Sequence, residues 1–216
     1  MSRSDGRAAR RGVRRQPENV TATLPKVLDM LDDETDPEVL AAIADALGRM
    51  WDPRCLPPLL TLIDHPDDRV RLSVAQALHG AVCNNEVPEG LAALLALSAD
   101  RDGNVRDWAT MALAGCETDS EEIRAALWAR VDDPEGDIVG EAMVGLARRH
   151  DPRVTAPILK RLADDPGNLI VEAAAELGDP AAYPLLLGLR DEGWAESDAR
   201  GYVLTNALSA CAPLGS

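Results

Sequence analysis

The chain has 216 residues, of which 46% are hydrophobic, and a formal net charge of −15, so it is long and apolar enough to bury a sizeable core in one domain or two. No run approaches the roughly 18 consecutive apolar residues a bilayer crossing needs, and no apolar segment near the N-terminus suits a secretory leader, so a cytoplasmic protein is expected. Acidity on this scale opposes the phosphate backbone of nucleic acids and favours basic partners through steering that weakens with salt.

Residues 1–15 run against that balance. Arg3, Arg7, Arg10, Arg11, Arg14 and Arg15 stand there against Asp5 alone, which leaves 16 bases and 36 acids on the rest of the chain. Residues 1–16 are expected to form a disordered basic N-terminal arm. Three readings of it stand: a tail that binds the protein's own acidic body or an anionic partner, a stretch upstream of the true start, or a targeting sequence. The Arg-Arg pairs resemble a twin-arginine signal, but no apolar stretch follows Arg15.

From there on the chain repeats. The segments 37–49, 68–80, 103–115, 136–148 and 167–179 align without gaps on the anchors Val39, Val70, Val105, Ile138 and Leu169, at intervals of 31, 35, 33 and 31 residues. An apolar or small residue follows each anchor at +4 (Ile43, Val74, Ala109, Ala142, Ala173) and a leucine at +8 (Leu47, Leu78, Leu113, Leu146, Leu177). That is helical spacing. Eleven residues before each anchor lies another apolar residue, Leu28, Leu59, Leu94, Leu127 or Ile158, inside its own apolar run. Each unit therefore reads as helix A, a short turn and helix B.

Turn chemistry separates the two helices. Asp36-Pro37, Pro66-Asp67-Asp68, Asp102-Gly103-Asn104, Glu135-Gly136-Asp137 and Pro166-Gly167-Asn168 combine helix breakers with side chains that cap a helix start. Asp52-Pro53, Asp151-Pro152 and Asp179-Pro180 open the next helix A with proline in its first turn. Repeats are expected at about 24–50, 53–82, 86–116, 120–149, 152–178 and 180–212, the last a degenerate cap, in a single domain over 17–216. The fold class is all-α, an α-solenoid superhelix of about six two-helix repeats, because one pair alone cannot hide its apolar stripe.

The pattern carried best by Asp52 to Gly80, with Val70, Arg71, Ala75 and Leu78 at its recurring positions, resembles the HEAT-like repeat of many bacterial proteins, including the phycobilisome-lyase type. The likeness extends over roughly residues 24–212. It implies a helical solenoid, and it implies little about function, since such proteins include scaffolds, chromophore lyases and isomerases, and nucleic-acid glycosylases. The recurring residues are structural in all of them.

Chemistry-bearing motifs are scarce. The sequence has no P-loop, dinucleotide fingerprint, nucleophile elbow, HExxH or EF-hand pattern. His65 and His150 fall in turns and His79 replaces the glycine that ends helix B elsewhere; a metal site from His79 and Cys83 lacks further ligands. Cys55, Cys83, Cys116 and Cys211, roughly 30 residues or more apart, read as reduced thiols. The pairs Asp32-Asp33, Asp132-Asp133, Asp164-Asp165 and Glu121-Glu122 read as capping and solvated acids. No catalytic residue, metal or cofactor is assigned.

Helices B are expected to line the concave side, with offsets +2, +3 and +6 from the anchor facing outward. Those offsets select Ser73, Gln76, Asp107, Trp108, Met111, Glu141, Val144 and Glu172. Trp108 stands out, because its equivalents are Ala42, Ser73, Glu141 and Glu172. It is either an aromatic anchor for an arginine- or lysine-bearing peptide or a filler of the groove between repeats. The expected function is a non-enzymatic scaffold for a basic protein or peptide, with neither nucleic acid nor membrane as partner. The alternative, implied by the resemblance alone, is an accessory role such as chromophore lyase or isomerase.

Overall fold

The computed structural model describes residues 17–50, 52–82, 87–195 and 198–213. The basic N-terminal segment, Trp51 and Cys83 lie outside them. Twelve α-helices and no strand occur among the described residues, and they come in pairs: α1 (Pro17–Asp32) with α2 (Pro37–Met50), α3 (Leu56–Leu60) with α4 (Asp68–Val82), α5 (Pro88–Leu97) with α6 (Gly103–Gly115), α7 (Glu121–Trp128) with α8 (Gly136–Arg148), α9 (Thr155–Asp164) with α10 (Asn168–Leu177), and α11 (Tyr183–Asp191) with α12 (Asp198–Cys211).

The core follows the periodicity. Val70, Val105, Ile138, Leu59, Leu94, Leu127, Ile158, and the +4 and +8 residues from Ile43 to Leu146 are buried, while Val39 and Leu169 are only half-covered. In the first and fifth pairs the next residue, Leu40 or Ile170, takes the buried place instead.

Aspartates cap many of the connections. Asp102 Oδ1 accepts from the N–H groups of Asn104 and Val105 at 2.9 and 3.2 Å and starts α6. Asp36 and Asp67 do the same for α2 and α4, whereas α8 and α10 start on Glu135 and Gly167 without a side-chain cap. Asp52, Asp151 and Asp179 cap short 3-10 turns ahead of α3, α9 and α11. The guanidinium groups of Arg54 and Arg153 fold back onto the same carboxylates and hold Asp52 and Asp151 down at about 2.

Consecutive B helices pack tightly along one another, α2 on α4, α4 on α6, α6 on α8, α8 on α10 and α10 on α12, whereas successive A helices touch little. Small residues permit this approach. A Cβ at Gly48 would stand 2.6 Å from the Cα of Ala77, and one at Gly145 2.8 Å from the Cα of Ala114. The two contacts share one register, +9 of one helix against +7 of the next. A layer that packs closely beside one that fans apart curves the stack, so the B layer lies on the inner side.

Polar clamps cross the same stack. Arg71 reaches Asp100 of the next pair through Nε at 2.7 Å and Nη2 at 2.8 Å, while its Nη1 donates to the carbonyls of His65 and Pro66. Arg106 repeats the arrangement, with Asp133 at 3.0 Å from Nε and from Nη2 and with the carbonyls of Asp100 and Arg101. Asp133 is therefore not a solvated acid as its sequence context suggests: its side chain is 3% exposed and forms one end of a largely buried ion pair, while its Oδ1 also accepts from the N–H of Glu135 at 3.2 Å in the turn before α8. Glu121 and Glu122 stand at the start of a helix A, where they open α7 behind the Ser120 cap.

Two histidines sort out by backbone. His150 follows α8 at a φ of 48°, the left-handed place that Gly178 takes at 64° after α10. His79 does not end its helix, because α4 continues to Val82; it is half-buried, burial lowers its pKa, and its Nδ1 has no partner among the described residues.

Candidate binding surface on the inner face

Helical geometry sets which B-layer side chains face the inner solvent. Along one helix an exposed stripe recurs about every 3.6 residues, so residues at +3, +6 and +10 share it. At +3 stand Ala42, Ser73, Trp108, Glu141 and Glu172, none of them in the buried class. At +6 Asp45, Gln76 and Met111 are partly exposed, and at +10 Arg49 and Arg148 are exposed.

The expected row at +2 and +6 needs two corrections. Val144 is buried, 2% exposed, and belongs to the core. At +2 only Asp107 keeps a polar place; its counterparts Gly140 and Val171 are buried between neighbouring B helices. The pattern fails there because +2 turns toward the next repeat: a Cβ at Gly140 would stand 2.5 Å from the Cβ of Leu169.

Trp108 is 36% exposed and is one of the large apolar side chains most open to solvent. The other described tryptophans differ from it. Trp128 packs against the core under Arg153, whose guanidinium carbon is 4.9 Å from the ring centroid, and Trp194 donates its Nε1–H to the Pro166 carbonyl at 2.8 Å.

On the same layer the acids of three successive B helices, Asp107, Glu141 and Glu172, come together. Burial is the main force that pushes Glu141 up to about 7, reinforced by the negative charges of Asp107 and Glu172 and opposed by Arg148. Asp107 is also raised, first by burial and then by Asp137 and Glu135. Among the described residues neither Asp107 nor Glu141 has an ion-pair partner within 4.0 Å. Glu172 does: Arg148 Nη2 donates to it at 2.9 Å and Arg148 Nε to Glu176 at 3.0 Å.

Next to Asp107 a cleft of about 380 Å³ opens between the first turns of α6 and α8, lined by Asp102, Asn104, Glu135 and Asp137 among others. The site can therefore receive positive charge beside an aromatic face. Among the described residues no group of three or more His, Cys, Asp or Glu side chains is arranged to hold a metal ion.

Sequence reasoning placed Ser73, Gln76, Asp107, Trp108, Met111, Glu141 and Glu172 on the B layer, and all are at least partly open. It missed Arg148, which a +10 offset would have found. It also missed Arg149, 8% exposed, whose Nη groups donate to the carbonyls of Leu113, Ala114, Cys116, Thr118 and Gly145. That guanidinium closes the C-terminal end of α6, where carbonyls are unsatisfied.

An all-α solenoid of helix pairs with a closely packed inner layer defines the class of this protein. Residues 24–114 match the HEAT repeats family model, and these residues are HEAT repeats. Protein YibA of Escherichia coli K12 is 35% identical over 98 residues, a match that covers 43% of this chain and 34% of YibA, and YibA of strain O157:H7 matches equally. The chain thus matches about a third of the length of these curated relatives. An X-ray structure of Escherichia coli YibA aligns with a TM-score of 0.69 at 22% identity over 92% of this chain and 71% of that one. A designed armadillo repeat protein in complex with the peptide (KR)4 aligns with a TM-score of 0.62 at 19% identity over 87% of this chain and 99% of that one. At these identities the structures share the fold. No helix among the described residues is long and apolar enough to cross a membrane.

Proposed function

We propose that this chain is a non-enzymatic interaction scaffold whose inner face takes a basic segment of a protein partner, with Trp108 as the aromatic anchor and Asp107, Glu141 and Glu172 as its acidic surround. The observation that carries the reading is Glu141, half-buried beside Asp107 and Glu172 and raised to about 7 by burial and like charge. A carboxylate kept without a counter-ion at a partly covered place costs stability in the free chain, and an arriving ammonium or guanidinium relieves that cost. Trp108 adds a ring face that a cation can stack on. The designed repeat protein that aligns with this chain was solved with the peptide (KR)4, which supports a basic peptide as the kind of ligand a stack of this fold can take.

Calorimetric titration of the full chain with the (Lys-Arg)4 peptide and with a Ser-Gln peptide of equal length tests this. Binding of the basic peptide alone, weakening as salt rises, is the expected result. Equal binding of both peptides, or of neither, contradicts it.

A further inference from the structure

The chain carries a candidate ligand for its own inner face. Six arginines fall within residues 3–15 against one acid, on a protein whose remaining residues hold 16 bases and 36 acids. No other stretch of the sequence is so basic. The face it complements is specific: Asp107 and Glu141 lie close enough for the charge of one to raise the other and have no ion-pair partner among the described residues, and the exposed Trp108 follows Asp107 on α6. Arginine suits both features, since its guanidinium forms charge-assisted bonds to carboxylates and stacks on aromatic rings.

Reach permits the contact within one molecule. From Pro17, where α1 begins, back to Arg3 is a span of up to about 46 Å for extended chain at about 3.3 Å per residue. Moving from α1 to α2, α4 and α6 crosses three helix spacings, about 30 Å at 8–10 Å each. Adding the full length of a 16-residue helix, about 24 Å, at right angles brings the straight path to just under about 40 Å. Arg3 therefore comes within range of α6, which carries Asp107 and Trp108, even along this path.

We infer that the arginine-rich segment of residues 3–15 docks in cis on the inner face at Trp108, Asp107 and Glu141, and competes there with the basic partner. This rests on the reading of that face as a seat for basic segments. A segment tethered this way has an effective concentration of about a millimolar; against a dissociation constant of about 0.1 mM for the free segment it weakens an external ligand about tenfold.

The test uses the full chain and a variant in which Arg3, Arg7, Arg10, Arg11, Arg14 and Arg15 are all changed to Gln, with equal helicity by circular dichroism as the check on folding. The probes are a synthetic peptide of residues 1–16 and the (Lys-Arg)4 peptide. The variant is expected to bind both about tenfold more tightly than the wild type at low salt, with a difference that is independent of protein concentration. Adding Asp107→Asn and Glu141→Gln to both proteins should abolish the difference. Equal affinity of wild type and variant for the probes overturns cis docking and leaves the basic-partner reading intact. A difference that grows with protein concentration assigns the contact to neighbouring molecules and also overturns it. If neither protein binds either probe, the reading of the face itself fails.

Discussion

Arg71 and Asp100 stand 29 residues apart in sequence and meet through two parallel hydrogen bonds of 2.7 and 2.8 Å, with Arg71 only 4% exposed. The same guanidinium holds two carbonyls of its own turn. One side chain thus joins the A–B turn of one pair to that of the next, and Arg106 with Asp133 continues the clamp by one step.

Removing one partner leaves a buried charge alone, so Arg71→Met is expected to lower stability by about 3–5 kcal/mol. Arg71→Lys should recover little, because a single ammonium cannot span both carboxylate oxygens and the carbonyls. The double change Arg71→Leu with Asp100→Asn should cost less than Arg71→Leu alone, since Leu40, Val139 and Ile170 hold the equivalent place elsewhere. Urea unfolding curves of the set measure the differences.

Arg149 predicts a second large effect. Its donors satisfy the last carbonyls of α6 in a place closed to water, so Arg149→Met should destabilise by roughly 3 kcal/mol. Hydrogen exchange at the end of α6 and the start of α7 should quicken before the rest of the stack opens.

Thr110 points the other way. It is fully buried and its hydroxyl has no hydrogen-bond partner among the described residues. Thr110→Val keeps the shape and removes the unsatisfied group, so it should stabilise by about 1 kcal/mol in the same unfolding assay.

Glu141 makes stability depend on pH. Its folded-state pKa of about 7 lies above the ordinary 4.5, so its protonated form contributes stability that is present below about 4.5 and lost as pH rises through 7. Glu141→Gln should therefore raise the melting temperature relative to wild type at pH 8 and give almost no difference at pH 4.5. Because the side chain is partly exposed, the gain at pH 8 is on the order of 1–2 kcal/mol. Melting curves across this range check both the sign and the window.

The helical pairs were legible in the sequence because their signal is local. The leucines at +8 from Leu47 to Leu146 and the apolar or small residues at +4 occupy the core as the spacing requires, and Asp36, Asp67 and Asp102 cap the helices they precede. The clamps were not, since Arg71 and Arg106 align with Leu40, Val139 and Ile170, and their partners lie one repeat away. Val144 was misplaced because it shares the +6 row with the partly exposed Asp45, Gln76 and Met111 yet is buried in the packed stack, and Arg148 was missed because the third row of the stripe falls at +10 and not at +2. For Trp108 the alignment revealed an odd residue, while its exposure required the packed stack.

The most direct test of the binding face is Trp108→Ser, read by thermal melting and by titration with the (Lys-Arg)4 peptide on the same preparation. The account predicts a melting temperature within a few degrees of wild type and a loss of affinity of about thirtyfold, near 2 kcal/mol. A large fall in melting temperature, or unchanged affinity for the peptide, would contradict it and return Trp108 to a packing role between repeats.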